Sequence, residues 1–314
     1  MAGVWIMAEG LEPGLELINI GQTLAGSMKS TLTVITWQGE LGQEFIACGA
    51  DEILLLPSLG SDQPLQSYIP VIVEHARKDM PEIFLMTSSL LGKEMAARIA
   101  GQLDAGLGSE CNALRWIEAE STLEMDRLFY GGAAVQTVRC SSAPRMATVA
   151  PRSFSPASPQ EGRHGSVTDL PMPPASPVRV LERKPRMQTT GDITNARVVI
   201  CVGRGLEKEA DLDMARQLAA VLNGEIACTR PISQEMRWLP EDLCIGLSAK
   251  KVKPDLYIGL GVSGQIQHLT GIRDARVIVA VNQDPNAPIF SAADYGVSGD
   301  LYEVVPLLLN NLEK

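Results

Sequence analysis

At 314 residues the chain exceeds what one hydrophobic core usually fills, so two domains are expected. Hydrophobic residues make up 45% and charged residues 20%, an ordinary globular balance. A formal net charge of −10 argues against nucleic acid or an anionic membrane as the partner.

No apolar run approaches the roughly 20 residues that span a bilayer, so no membrane insertion is expected. The first residues, Met1 to Met7, lack a basic stretch followed by a long apolar one, which gives no sign of a signal peptide. The six cysteines, Cys48, Cys111, Cys140, Cys201, Cys228 and Cys244, form no C-x-x-C pair. Neither a zinc site nor an iron–sulfur cluster is signalled, and no metal is expected. Most of them read as small buried hydrophobes of a reducing compartment, which makes the expected location cytoplasmic.

In chain order, Val4 to Ala8 reads as a strand, and Leu15, Ile18, Leu24 and Met28 follow as a helical stripe. Strands are expected at Leu32–Thr36, Ile53–Leu56 and Ile83–Met86. Helices are expected at 65–79 and from Gly92 to Leu103, where Met95, Ile99 and Leu103 share one face. Such alternation implies a parallel sheet covered on both faces. Met125 to Arg139, with Tyr130, Gly131 and Gly132 inside it, reads as a hairpin or an extended excursion. This half carries no nucleophile, metal spacing or phosphate loop, and reads as a scaffold.

Between Pro144 and Pro185 lie nine of the chain's 20 prolines. Proline lacks the N–H that a ladder needs, so this stretch is expected to be an extended linker marking the domain boundary. The expected organisation is an N-terminal α/β domain over 1–150, a Pro-rich linker over 151–190 and a C-terminal α/β domain over 191–314.

The second domain opens with a strand, Val198–Val202, that runs into Gly203, Arg204 and Gly205. A helix follows from about Glu209 to Leu222. The G-x-G-x-x-G spacing fails because Lys208 takes the third glycine's place. Glu225–Cys228 delivers Thr229 and Arg230, and Cys244–Gly246 delivers Leu247 and Ser248. Leu256–Leu260 is the clearest buried strand, opened by Pro254 and Asp255 and closed by Gly261 to Gly264.

The turn at Ser263 and Gly264 opens a short helix near Gln265, which aims backbone N–H groups and a positive dipole end at an anion. His268 falls one turn further along; it reads either as a ligand-facing side chain or as a satisfied core histidine in a tight strand-to-helix turn. Val277–Val281 presents Asn282, and Asp300 caps a C-terminal helix. A polar or basic group thus follows nearly every strand, at the sheet edge where open α/β folds bind nucleotides.

Taken together these segments resemble the alpha subunit of electron transfer flavoprotein, a family that includes the bacterial FixB-type proteins. The resemblance spans about residues 195–314. It rests on Val202–Gly205, Thr229–Pro231, Gly246–Ser248, Pro254–Tyr257, Gly261–His268, Val281–Pro285, Ala287–Phe290 and Ala293–Gly296. The N-terminal half is similar more weakly, through Leu91–Leu103 and Tyr130–Gly132.

The resemblance implies two α/β parallel-sheet domains, the C-terminal one doubly wound, Rossmann-like and binding FAD. It implies Arg204 beside the pyrophosphate or the ring-proximal part, Arg230 against the isoalloxazine, Ser248 near N5 and His268 at the N1–C2=O edge. Ser263, Gly264, Gln265, Ile266 and Gln267 would follow the ribityl and phosphate chain. Asn282, Asp300 and Leu301 would hold the adenosine end, and Thr229, Gly246 and Leu247 belong to the same motifs. An imidazole donor or imidazolium with a fixed guanidinium suits the negative charge of a reduced flavin.

Leu247 stands where many members have Gln, Ala249 to Lys251 replace a common Gly-Lys-Thr, and Gln265 replaces a frequent Ala. The implied function is a non-enzymatic electron carrier. It would be one half of a heterodimer with an electron transfer flavoprotein beta subunit, accepting electrons from an acyl-CoA dehydrogenase of fatty acid beta-oxidation. A quinone or ferredoxin-linked redox partner would stand on the other side. Two alternatives stand beside it. One is an NAD-dependent enzyme of the related nucleotide-binding fold, such as a deacylase, which would usually show paired C-x-x-C zinc ligands that are absent from this sequence. The other is a redox-inert nucleotide-binding scaffold.

Overall fold

The structure, a computed structural model, describes residues 3–184 and 191–312. It divides into two compact α/β units, the first ending at Lys184. In the first unit β1 (Val4–Met7), α1 (Leu11–Met28), β2 (Leu32–Thr36), α2 (Gly42–Ala47) and β3 (Glu52–Leu55) alternate. They are followed by α3 (Ile69–Asp79), β4 (Ile83–Thr87) and α4 (Leu90–Leu103). Period-2 side-chain direction explains why both faces of β1 are apolar. Val4 and Ile6 enter a core with Leu17, Ile18 and Phe45, whereas Trp5 and Met7 enter a second core with Tyr68, Ile72 and Phe84.

Next come β5 (Leu107–Ile117), β6 (Thr122–Phe129), β7 (Ala134–Arg139), β8 (Arg145–Val149) and β9 (Ser166–Asp169). The nine strands order as β7-β6-β5-β8-β4-β1-β2-β3-β9. From β8 to β9 every neighbour is parallel, while β5, β6 and β7 form an antiparallel meander. The expected hairpin is the β6–β7 pair.

The proline-rich stretch corrects the expectation of a bare tether. β9 lies inside it and pairs with β3, placing Ser166 opposite Glu52 and Asp169 opposite Leu55. Ala157 and Leu170 are buried in the first unit's cores, and Arg163 pairs with Asp51 at 2.7 Å. The prolines flank this strand rather than occupy it, so its N–H groups remain available to the ladder. Part of the expected linker, residues 185–190, lies outside the described residues.

At the carboxyl end of this sheet the connections from β1 and β4 diverge, which is where such sheets take ligands. Here Glu9 lines the crevice. Its carboxylate accepts from Thr87 Oγ1 at 2.5 Å and from Ser89 Oγ at 2.6 Å, and the Ser89 oxygen caps α4 by accepting from Gly92 N. An anionic ligand would meet a carboxylate there, consistent with a scaffold.

The second unit holds β10 (Val198–Val202), α5 (Leu212–Val221), β11 (Glu225–Cys228), β12 (Leu256–Leu260), α6 (Ile266–Ile272), β13 (Ile278–Asn282), β14 (Tyr295–Ser298) and α7 (Leu301–Leu312). Its five strands order as β11-β10-β12-β13-β14, all parallel. One core, including Val199, Cys201, Leu218, Tyr257, Leu260 and Val281, holds it together. Because the chain steps from β10 to β11 on one side and returns as β12 on the other, the sheet's switch point lies between β10 and β12. Among the described residues no helix is long and apolar enough to cross a membrane.

Candidate functional site

Parallel strands deliver all their carboxyl ends to one edge, and the expected site residues follow those ends in turn. Arg204 leaves β10, Thr229 and Arg230 leave β11, Ser263 to Gln267 leave β12, Asn282 ends β13, and Asp300 and Leu301 follow β14. The short run Cys244–Gly246 joins this edge through a single parallel bridge between Cys228 and Cys244, which brings Ser248 beside β11. Arg230 Nη2 donates to Ser248 Oγ. A π-helical turn, Pro231–Glu235, begins immediately after this arginine.

The loops after β10 and β12 pack backbone against backbone. Gly205 N donates to Gly261 O at 3.0 Å, and a Cβ on Gly203 would stand 2.3 Å from that same carbonyl. Gly261 and Gly264 take positive φ, +61° and +79°, and a Cβ on Gly264 would meet Ile289 N at 2.3 Å. Gly203, Gly205, Gly261 and Gly264 are therefore needed for close backbone packing at the switch point. What they free for a ligand is the outer rim: Arg204, Arg230, Ser248, Ser263, Gln265, Ile266 and Gln267 are all exposed.

Leu247, half exposed at 50%, is tied by its N–H to Gln267 O at 2.7 Å, and Ile266 is 67% exposed. Gly246 is buried where Gly271 of α6 touches its backbone: a Cβ on Gly271 would lie 2.7 Å from Gly246 N. Two guanidiniums, two hydroxyls and an apolar rim on one edge form a donor set that suits a diphosphate and a planar ring. Among the described residues no group of His, Cys, Asp and Glu could hold a metal ion.

His268 does not face this rim. Its ring is buried at 7% exposure, with Nε2 2.8 Å from Tyr257 Oη and Nδ1 3.2 Å from Ile245 O. Burial pushes the imidazole pKa down to about 4, which the Ile245 carbonyl offsets only in part. The geometry is that of the satisfied core histidine. The resemblance assigns this ring to the flavin's N1–C2=O edge; in this ligand-free structure both its nitrogens lie within hydrogen-bond distance of protein atoms.

The side chains expected at the adenosine end are engaged too. Asn282 Nδ2 donates to Val262 O and its Oδ1 accepts from Asp284 N. Asp300 Oδ1 caps α7 by accepting from Tyr302 N, and Leu301 is buried. They frame the edge with their backbone and hold the loops in place.

A family model described as the electron transfer flavoprotein FAD-binding domain matches residues 192–273. A second, described as the electron transfer flavoprotein domain, matches residues 12–175. The protein named YdiR, for an electron transfer flavoprotein subunit, in Escherichia coli (strain K12) is 33% identical over 99% of this chain and 98% of its own length. Protein FixB of Escherichia coli O127:H6 is 29% identical over 97% of this chain and 96% of its own. The motif-rich rim of the second unit lies within the FAD-binding match, and the residues present suit that cofactor. This chain belongs to the electron transfer flavoprotein family, as an alpha-type member whose second unit is the FAD-binding domain.

Proposed function

We propose that the chain is the alpha subunit of a heterodimeric electron transfer flavoprotein, a carrier rather than an enzyme. It takes electrons from a dehydrogenase of the acyl-CoA type and passes them to a quinone or ferredoxin-linked acceptor in the cytoplasm. The observation that carries the reading is the Arg230–Ser248 hydrogen bond on the exposed rim. It joins, at one point, the two side chains that the family resemblance assigns to the ring.

FAD, when bound, supplies the redox chemistry. Arg230 supplies a permanent cation there, Ser248 fixes the guanidinium's orientation and can itself bond a ring nitrogen, and Arg204 offers a second cation at the neighbouring strand end. The exposed Leu247 and Ile266 give an apolar margin that a ring or a partner subunit can cover.

The test is a potential. Unit charges about 4 Å apart interact by about 4 kcal/mol at an effective dielectric near 20, and delocalisation and solvent reduce this to about 1.5–3 kcal/mol. With about 59 mV for each tenfold change in a one-electron couple, Arg230→Ala should lower the first flavin potential by roughly 60–130 mV. Arg230→Lys should lower it less. Spectroelectrochemical titration of the assembled complex decides the matter: an unshifted potential in Arg230→Ala, with FAD retained, removes this arginine from the ring.

A further inference from the structure

In the first unit α3 and α4 lie side by side and run the same way. Gln66, just before α3, donates through Nε2 to Glu94 Oε2 at 2.8 Å, and Arg77 near the end of α3 donates to Gln102 O at 2.7 Å near the end of α4. The proline-rich segment passes beside this pair and is fastened at two points. Leu170 N donates to Leu55 O at 2.8 Å; further on, Val180 N donates to Asp62 O at 2.7 Å and Arg183 Nη2 to Gln63 O at 3.1 Å. Between those points Pro174 to Val178 form one wall of a cavity of about 370 Å³, and the start of α3 and one side of α4 form the others.

The walls divide by chemistry. Pro64 and Pro70 line the cavity from the α3 side, Pro174 and Pro177 from the segment. A pyrrolidine ring is rigid, so contact with it costs no side-chain entropy, and its broad apolar face suits a flat ring. α4 contributes Glu94, Arg98 and Gln102, four residues apart and so on one face. Each oxygen of Glu94 already accepts a bond, Oε2 from Gln66 and Oε1 from Arg98 Nη2 at 2.7 Å. A guanidinium carries five N–H donors, and the Arg98 side chain is 57% exposed. What this stripe offers a ligand is therefore a cation's donors.

Ser67 makes the cavity more than a groove. It sits in the tight turn Leu65–Tyr68, lines the cavity and is only 6% exposed. Its hydroxyl is fully buried and meets no hydrogen-bond partner among the described residues. A buried hydroxyl without a partner is costly, and native structures rarely keep one without a reason.

We infer that this cavity binds a small aromatic carboxylic acid, its ring between the two pairs of prolines, its carboxylate on Arg98, and one of its oxygens accepting from Ser67. Size agrees with a two-ring acid, since a cavity of about 150 Å³ takes one benzene. The site lies wholly within the first unit and stands apart from the FAD reading.

The probe is 2-naphthoate, titrated calorimetrically into the full chain in its complex, with 2-naphthamide as a neutral twin and octanoate as a ringless acid. One saturable site per chain is expected for 2-naphthoate, with the amide and octanoate each at least tenfold weaker. Arg98→Ala should bring the acid down to the amide's affinity. Ser67→Ala should weaken the acid about tenfold, the worth of one buried hydrogen bond. The same variant should raise the melting temperature of the unliganded chain, because it removes a buried hydroxyl that has no partner. A serine with a purely structural role would move that temperature the other way. No saturable binding, an affinity unmoved by both variants, octanoate as tight as 2-naphthoate, or a less stable Ser67→Ala would each overturn the inference.

Discussion

At the residue scale, a histidine held neutral makes stability depend on pH. Its pKa falls from the usual 6.5 to about 4 because burial disfavours the charged ring. Between those values the unfolded chain binds more protons than the folded one, so stability rises with pH across that window and is lost as pH falls through it. At about 1.4 kcal/mol for each pKa unit, the loss from pH 6.5 to pH 4 approaches about 3 kcal/mol. Carboxylates paired in the folded state add their own losses at lower pH, so the test is a difference. His268→Gln should be less stable than wild type at pH 7, and the gap should narrow by about 3 kcal/mol toward pH 4. Parallel denaturation curves with a constant gap would show that the ring titrates normally.

At the scale of elements, legibility followed pattern. β12 was readable because an unbroken apolar run sits between Pro254 and a glycine turn, and α6 was readable because Gly264 marks its entry. β9 was not. Ser166, Val167, Thr168 and Asp169 are all exposed, so no buried face imposed alternation, and the strand is held by its pairing with β3. β8 was hidden because it begins with Arg145, a buried guanidinium paired with Glu82, where apolar residues signal a strand. The role of His268 was open for a different reason: its partners lie 11 and 23 residues away, and a carbonyl leaves no mark in a sequence.

The status of β9 yields a prediction. Fragment 1–184 keeps the strand and the burial of Leu170, whereas fragment 1–160 loses both. Burying a leucine stabilises by about 1.5–3 kcal/mol, so the shorter fragment should be less stable by at least that margin and unfold at a lower urea midpoint. Equal midpoints would return the segment to the role of a tether.

On the scale of the whole molecule, two units of similar build carry unlike edges. In the first, Glu9 lines the crevice at the carboxyl end of the sheet with a carboxylate between two hydroxyls. In the second, the corresponding edge bears exposed Arg204 and Arg230 with Ser248 and Ser263. The sequence showed this contrast in outline, since the first half offered no phosphate loop and the second offered a polar group after nearly every strand. It could not show that the glycines of the second edge pack on one another, because that contact joins loops almost sixty residues apart.

FAD belongs to the second unit, and we propose that it is retained when a beta subunit covers the exposed rim. The most direct measurement is the flavin absorbance of the purified chain, expressed alone and together with its beta partner. One FAD per alpha chain is expected in the complex, with loss of most of it from the chain alone. A stable complex without flavin, or a lone chain holding FAD stoichiometrically, would contradict it.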